Sequence, residues 1–148
     1  MQHRPIGAFL AAIASVTLIA ACGTSDKDQA LSLAAKACDV STLPELHLDH
    51  LKGREEARGK ILPRLQEDAD KAAQAARLDS GWQKLATATD RLAEAVSVTL
   101  ELETLKAEGG ETQEELAKQD RLTDRAQALG SEKAADAVHA ECRKTSGS

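Results

Sequence analysis

Apolar side chains recur every three to four residues over most of the chain beyond residue 25, which is typical of amphipathic α-helices. The longest such pattern runs from Trp82 to about Ala107. One face of this helix is apolar and is predicted to be buried, with Trp82 as its largest core residue. Its positions are Leu85, Ala88, Leu92, Ala95, Thr99 and Leu102, joined by Trp82, Val96 and Leu105.

Helix-start signals predict an earlier helix over residues 25–38. Ser25 is a preferred N-cap residue, and Asp26 and Asp28 lie in the first turn, where acidic side chains complement the helix dipole. The segment 39–41 ends this helix.

Two further helices are predicted before residue 78, with breaks between them. Pro44 after Thr42 predicts a second helix that Gly53 interrupts, because proline is tolerated in a first turn. In the following run a helix-interior proline removes a hydrogen bond, so we expect a break or bend near Leu62 and Pro63. Beyond it, residues 65–78 are alanine-rich and predicted to be helical.

Local signals divide the C-terminal part into two helices. Residues 108–110 contain two glycines and predict a break. Thr112 and Glu115 then match a capping box that opens a helix. Gly130 is predicted to stop it, and Ser131 to cap a final helix that ends near Arg143. In the helix that follows Thr112, the apolar positions are Leu116, Leu122, Ala126 and Leu129.

These patterns predict an all-α fold, a small antiparallel helical bundle of about four to five helices. Leucines seven residues apart in the longest helix suggest a coiled coil, but the spacing fails at Thr99. An antiparallel bundle is therefore favoured. We assign residues 26–143 to this bundle and residues 144–148 to a flexible tail.

The first 22 residues have a different pattern, that of a secretory signal. A short polar start with Arg4 precedes the apolar run Ala8 to Ala20, whose 13 residues match a signal h-region. A transmembrane helix needs about 20 apolar residues. The run is therefore predicted to be a signal peptide and not a membrane span.

The signal ends in Ile19-Ala20-Ala21-Cys22, which resembles the lipobox of bacterial lipoproteins. The resemblance implies removal of residues 1–21 and attachment of a diacylglycerol to the Cys22 thiol. Two or more acyl chains make a stable membrane anchor. Residues 22–25 then form only a short tether, so the bundle is expected to lie close to an extracytoplasmic membrane surface. The alternative is an ordinary cleaved signal peptide in which Cys22 has no role.

Composition limits both the core and the partners. Without residues 1–21 the chain has 18 basic and 24 acidic residues, a balance of −6 with no basic cluster, so nucleic-acid binding is not expected. Leu, Ile, Val and Phe make up 22 of the remaining 127 residues. Alanine fills many apolar positions, and we expect a narrow core that needs a cross-link.

Cys38 and Cys142 are the candidates for that cross-link. They are the two cysteines left if Cys22 is lipidated, and each continues an apolar helical stripe. Disulfides persist outside the cytoplasm, so we predict a bond that ties the first helix to the last. Two buried free thiols or a thiolate metal site are the alternatives.

Histidines provide the alternative chemistry. His47 and His50 are three residues apart, as are His139 and Cys142, and His and Cys side chains are ligands for zinc and copper. An envelope metal-binding protein would use His47 and His50 with His139 or Cys142. Such a site competes with the disulfide for Cys142.

No catalytic signature accompanies these residues, and the carboxylates are attributed to the solvated helix faces. The lipobox, the pair of cysteines and the composition together resemble small alanine-rich, all-helical lipoproteins of high-GC bacteria. The resemblance implies an exported, membrane-anchored envelope protein that is not an enzyme. We expect no cofactor. We expect a structural or protein-interaction role, with Leu48, Val98 or Leu100 as candidate contacts for an envelope protein partner.

Overall fold

A computed structural model describes residues 25–39, 50–109 and 112–147, and within these ranges every regular element is a helix. The α-helices are α1 (Asp26–Ala37), α2 (Leu51–Glu56), α3 (Leu62–Leu78), α4 (Gln83–Ala107), α5 (Gln113–Leu129) and α6 (Ser131–Cys142). A π-helical segment, Ala57–Ile61, joins α2 to α3. Short 3-10 helices occur at Ser80–Trp82 and Thr145–Gly147. The predicted all-α bundle is confirmed.

Helix α1 begins where its sequence predicts. The Ser25 Oγ accepts a hydrogen bond from the Asp28 backbone N–H at 3.2 Å, and the Ser25 N–H donates to the Asp28 carboxylate at 3.3 Å. Asp28 thus completes a capping box, a role that glutamate or glutamine more often takes. The buried side of α1 consists of small residues, Ala30, Ala34 and Ala37.

The interruption predicted at Gly53 is absent, and near Pro63 the helix is not broken but changes its hydrogen-bond pattern. His50 has an extended backbone and is the N-cap of α2, so Gly53 lies inside a helix. Pro63 has no N–H to offer the carbonyl four residues earlier. The chain accommodates this with the π-helical segment, in which the Leu62 N–H donates to the Ala57 carbonyl five residues back. Helical structure therefore continues from α2 into α3. The start of the predicted second helix lies outside the described residues.

Helix α4 is the centre of the bundle and packs against α3, α5 and α6. The turn before it is held by Asp79, whose carboxylate accepts a hydrogen bond from the Gly81 N–H at 2.9 Å. Leu85 is fully buried. Most of the predicted buried face is buried, but Trp82, Thr99 and Leu105 are only half-buried. Trp82 packs at the margin of the core.

Helices α5 and α6 run antiparallel to α4 as consecutive segments. The Thr112 capping box is present in both of its halves. Gly130 ends α5 in a left-handed conformation with φ of 59°, as predicted. It also serves as the N-cap of α6, so the expectation that Ser131 would be the cap is wrong.

Alanine dominates the core. Among the described residues, 22 hydrophobic side chains are buried, of which 11 are alanines, and the large ones come mostly from α4. Helix α5 contributes no buried residue, so its predicted apolar positions are at most partly covered. In the ranges that the structure describes, every helix is too short or too polar to span a lipid bilayer.

Candidate functional site

The disulfide between Cys38 and Cys142 joins the two ends of the bundle. Cys38 is the C-cap of α1, and Cys142 is the last residue of α6. Their Cα atoms are 5.5 Å apart, a separation typical of disulfides, and both residues are buried. The predicted cross-link is therefore present in the structure.

The disulfide borders a shallow depression of about 370 Å³ that also includes His139 and Asp39. His139 lies one helical turn before Cys142 and is exposed, as is His50 at the start of α2. Cys142 cannot act as a thiolate ligand while it is bonded to Cys38. Within the described ranges, no group of three or more His, Cys, Asp or Glu residues is arranged to hold a metal ion.

The other predicted site residues lie where the structure gives no description. His47 and Cys22 fall outside the described residues, and so does Leu48. The metal site that includes His47 and the lipidation of Cys22 both remain predictions.

The predicted contact residues on α4 are not available to a partner. Val98 is 8% exposed and Leu100 is 3% exposed, because α4 is covered from several sides. This expectation was based on a single buried stripe, and it is wrong for a central helix. In the ranges that the structure describes, the exposed large hydrophobic residues are Leu51, Leu78 and Leu116.

Asp68 is a buried carboxylate that sequence reasoning assigned to a solvated face. It is 3% exposed, and its Oδ1 accepts a hydrogen bond from the Lys71 ammonium at 3.2 Å. Its Oδ2 accepts none in the described part of the chain. Burial raises the pKa of Asp68, and the hydrogen bond and charge of Lys71 oppose that rise only in part. The sequence signal was its position, three residues after Leu65 and four before Ala72 on the apolar stripe of α3.

A groove of about 290 Å³ with a mainly apolar lining lies between α4 and α6. We refer to the alanines that line it as its floor and to the cationic residues as its rim. The floor is Ala88, Ala134 and Ala137, the rim is Lys84, Arg91 and Lys133, and Gln83 and Thr87 complete the lining. We call it the α4–α6 groove.

Arg91 also fixes the neighbouring helix. Its guanidinium donates to the Leu129 carbonyl at 2.9 Å and to the Ala128 carbonyl at 2.7 Å. These are carbonyls of the last turn of α5, where a helix carries partial negative charge. Arg91 thereby ties the junction of α5 and α6 to α4, beside the groove.

A second, more polar groove of about 660 Å³ lies along α4 between α3 and α5. Ion pairs connect α5 to α4 at its edge: Lys118 with Glu101 at 2.8 Å, and Arg125 with Glu94. Lys118 thus pairs with a residue of another helix, α4, and not within α5. The attachment of α5 is therefore largely polar.

Comparison with known proteins does not place this arrangement in a family. No protein-family model, curated protein or solved structure matches the chain.

Proposed function

We propose that the protein is an exported lipoprotein, anchored at the extracytoplasmic membrane surface through Cys22, with a non-enzymatic structural or protein-interaction role. The observation that carries the proposal is the pairing of cysteines. Cys38 and Cys142 are bonded to each other, and the chain has three cysteines, so no cysteine remains to pair with Cys22. That leftover thiol follows directly after a signal-like apolar run, where lipid attachment would take place.

The disulfide also supports an extracytoplasmic location. Disulfide bonds form and persist outside the reducing cytoplasm, and a cross-link between the first and last helices suits an exported domain. A balance of −6 in the mature chain gives no electrostatic reason to bind anionic lipid, so the lipid on Cys22 would have to supply the membrane attachment.

Exposed leucines at α2 and α5 are the candidates for contact with a protein partner. Leu51 is 65% exposed and Leu116 is 51% exposed, and each lies in the first turn of its helix. Charge substitutions there, Leu51→Glu and Leu116→Glu, are expected to weaken a complex isolated by cross-linking in intact cells. The matched substitution Ala140→Glu, at an exposed position of α6, should leave it unchanged.

The proposal is tested by the intact mass of protein purified from its native membrane, before and after reduction and alkylation. We expect a chain that begins at Cys22 and carries a diacylglycerol, with two cysteines that react with the alkylating agent only after reduction. The Cys22→Ser variant should lose the lipid and keep the disulfide.

The paired variant Cys38→Ser/Cys142→Ser should show the reverse, an intact lipid and no disulfide. A mature chain that begins elsewhere without lipid, or an untrimmed chain in the cytosolic fraction, would refute the proposal.

A further inference from the structure

The charge of the α4–α6 groove is opposite to that of the protein. Three of its lining side chains are cationic and none is acidic, although the chain as a whole has a net charge of −5. Lys84 and Lys133 are exposed, and neither forms an ion pair within the described ranges. Their aliphatic stems can cover apolar surface while the ammonium groups stay at the mouth of the groove.

From this arrangement we infer that the α4–α6 groove binds an anionic single-chain amphiphile of the fatty-acid class. The acyl chain lies on Ala88, Ala134 and Ala137, and the carboxylate lies between the ammonium groups of Lys84 and Lys133. The inference does not depend on the lipid anchor, because the groove is formed wholly within the helical bundle.

The size of the groove selects among possible occupants. Small-molecule sites usually have volumes of about 300–1,000 Å³, so a groove of about 290 Å³ suits a single slender ligand. A partner helix needs a longer surface, with contacts repeated over at least two turns, and specific protein interfaces bury about 1,200 Å² or more. A second protein is therefore not the occupant that this groove favours.

The chemistry of the lining narrows the choice further. An inorganic anion would gain nothing from the alanine floor and would depend on the rim cations alone, and exposed charge pairs are weak in water. A neutral amphiphile would make no use of the cations on the rim. An acyl chain with a carboxylate satisfies both parts of the groove.

The experiment uses the full chain reconstituted in vesicles of a zwitterionic phospholipid. A palmitic acid analogue that carries a diazirine is added, cross-linked by light and located by peptide mass spectrometry. We expect labelling to concentrate in peptides that contain residues 84–91 and 133–137. Unlabelled palmitate should compete, and hexadecanol should compete less well. Diffuse labelling, or equal competition by the alcohol, would overturn the inference.

Matched variants test the groove itself. Ala137→Leu fills the groove and should abolish site-specific labelling, whereas Ala140→Leu, at another exposed alanine of α6, should not. Lys133→Glu should weaken competition by palmitate by about two- to fivefold or more, the size expected for a surface charge pair, and Lys27→Glu on α1 should have no effect.

Each variant is first checked for the Cys38–Cys142 bond and for helical content by circular dichroism. If Ala137→Leu is folded by these criteria and is labelled like the wild type, the groove is not the binding site. Labelling that follows Cys22 and is lost with the lipid would instead report contact through the membrane and would also refute the inference.

Discussion

Loss of the Cys38–Cys142 bond is expected to remove a large part of the stability of the bundle. The two cysteines are 104 residues apart in sequence. In the chain-entropy treatment, a cross-link that closes a loop of this length stabilises the folded state by about 4.7 kcal/mol at 25 °C, mostly by restricting the unfolded chain. Engineered and natural cases often deliver less, so we expect about 3–5 kcal/mol. Domains of this size have a total of roughly 5–15 kcal/mol.

The packing of α1 makes this loss harder to offset. Its buried residues within the helix are Ala30, Ala34 and Ala37, which bury little area compared with leucine. Without the bond, α1 would be held by these small residues, by the partly buried Leu33 and by an exposed ion pair between Arg64 and Asp39 at 3.6 Å. We therefore expect the amides of α1 to exchange with solvent before those of α4.

The assay is urea unfolding of the chain from residue 22 onward with Cys22→Ser, followed by circular dichroism and by the fluorescence of Trp82, the only tryptophan. Cys38→Ser, Cys142→Ser and the double variant all lose the same bond. Each single variant should therefore lose about as much stability as the double variant. The coupling energy between the two positions should then be close in size to the loss of stability in the double variant. The slope of the free energy of unfolding against urea should also rise, because the unfolded chain becomes less compact.

Reduction of the wild type provides the control for the serine hydroxyls. A loss below about 1 kcal/mol in both the reduced protein and the variants would refute the entropic reasoning. Additive losses in the single variants would show that the thiols stabilise the ends of the helices by packing and not through the bond.

Three other perturbations follow from the structure. Burial raises the pKa of Asp68 in the folded state, so its contribution to the free energy of unfolding falls as the pH rises from the unfolded pKa of 3.8 through the folded pKa. Asp68→Asn should therefore flatten the pH dependence of stability, as measured by unfolding experiments between pH 4 and 7. The ion pairs of α5 with Glu94 and Glu101 are exposed, so raising NaCl from 0.05 to 1 M should lower the free energy of opening of α5, measured by hydrogen exchange, by up to about 1 kcal/mol. The double variant Glu94→Gln/Glu101→Gln should lose this salt dependence. Gly130→Ala should destabilise the protein by about 1–2 kcal/mol because the φ of Gly130 is 59°. Gly59 lies within a helix with open space around it, so Gly59→Ala should stabilise the protein by about 0.5–1 kcal/mol. Thermal unfolding measures both changes, and results of the opposite sign would contradict them.

Signals that act within one turn of the chain predicted the structure well. The caps at Ser25 and Thr112 and the stop at Gly130 depend on hydrogen bonds or dihedral angles of a few neighbouring residues. Near Pro63, where a break or bend was predicted, the helix continues because a lost hydrogen bond can be absorbed by a π-helical segment as well as by a break. Which of the two occurs depends on packing against α4, which the local sequence does not contain.

Some features of the candidate site could also be predicted from the sequence, and others could not. The pairing of Cys38 with Cys142 was predictable because few cysteines are available. The α4–α6 groove was not, since it depends on the register that places Ala88 opposite Ala134. The position of Asp68 on the apolar stripe of α3 was a sequence signal for burial. It was assigned to the solvated face because carboxylates are exposed in most proteins.

The distribution of large side chains explains why the cross-link joins the ends of the chain. Most of the large buried residues belong to α4, while α1 supplies alanines and α6 supplies Ala134, Val138 and Cys142. Each buried CH₂ contributes about 0.8 kcal/mol, so an alanine contributes about 2.4 kcal/mol less than a leucine in the same place. Packing therefore holds α1 less firmly than it holds α3 or α4. A bond between α3 and α4 could close a shorter loop, for which the chain-entropy treatment gives about 3 kcal/mol at about 15 residues. The bond between α1 and α6 spans 104 residues and restricts most of the unfolded chain, for which the same treatment gives about 4.7 kcal/mol.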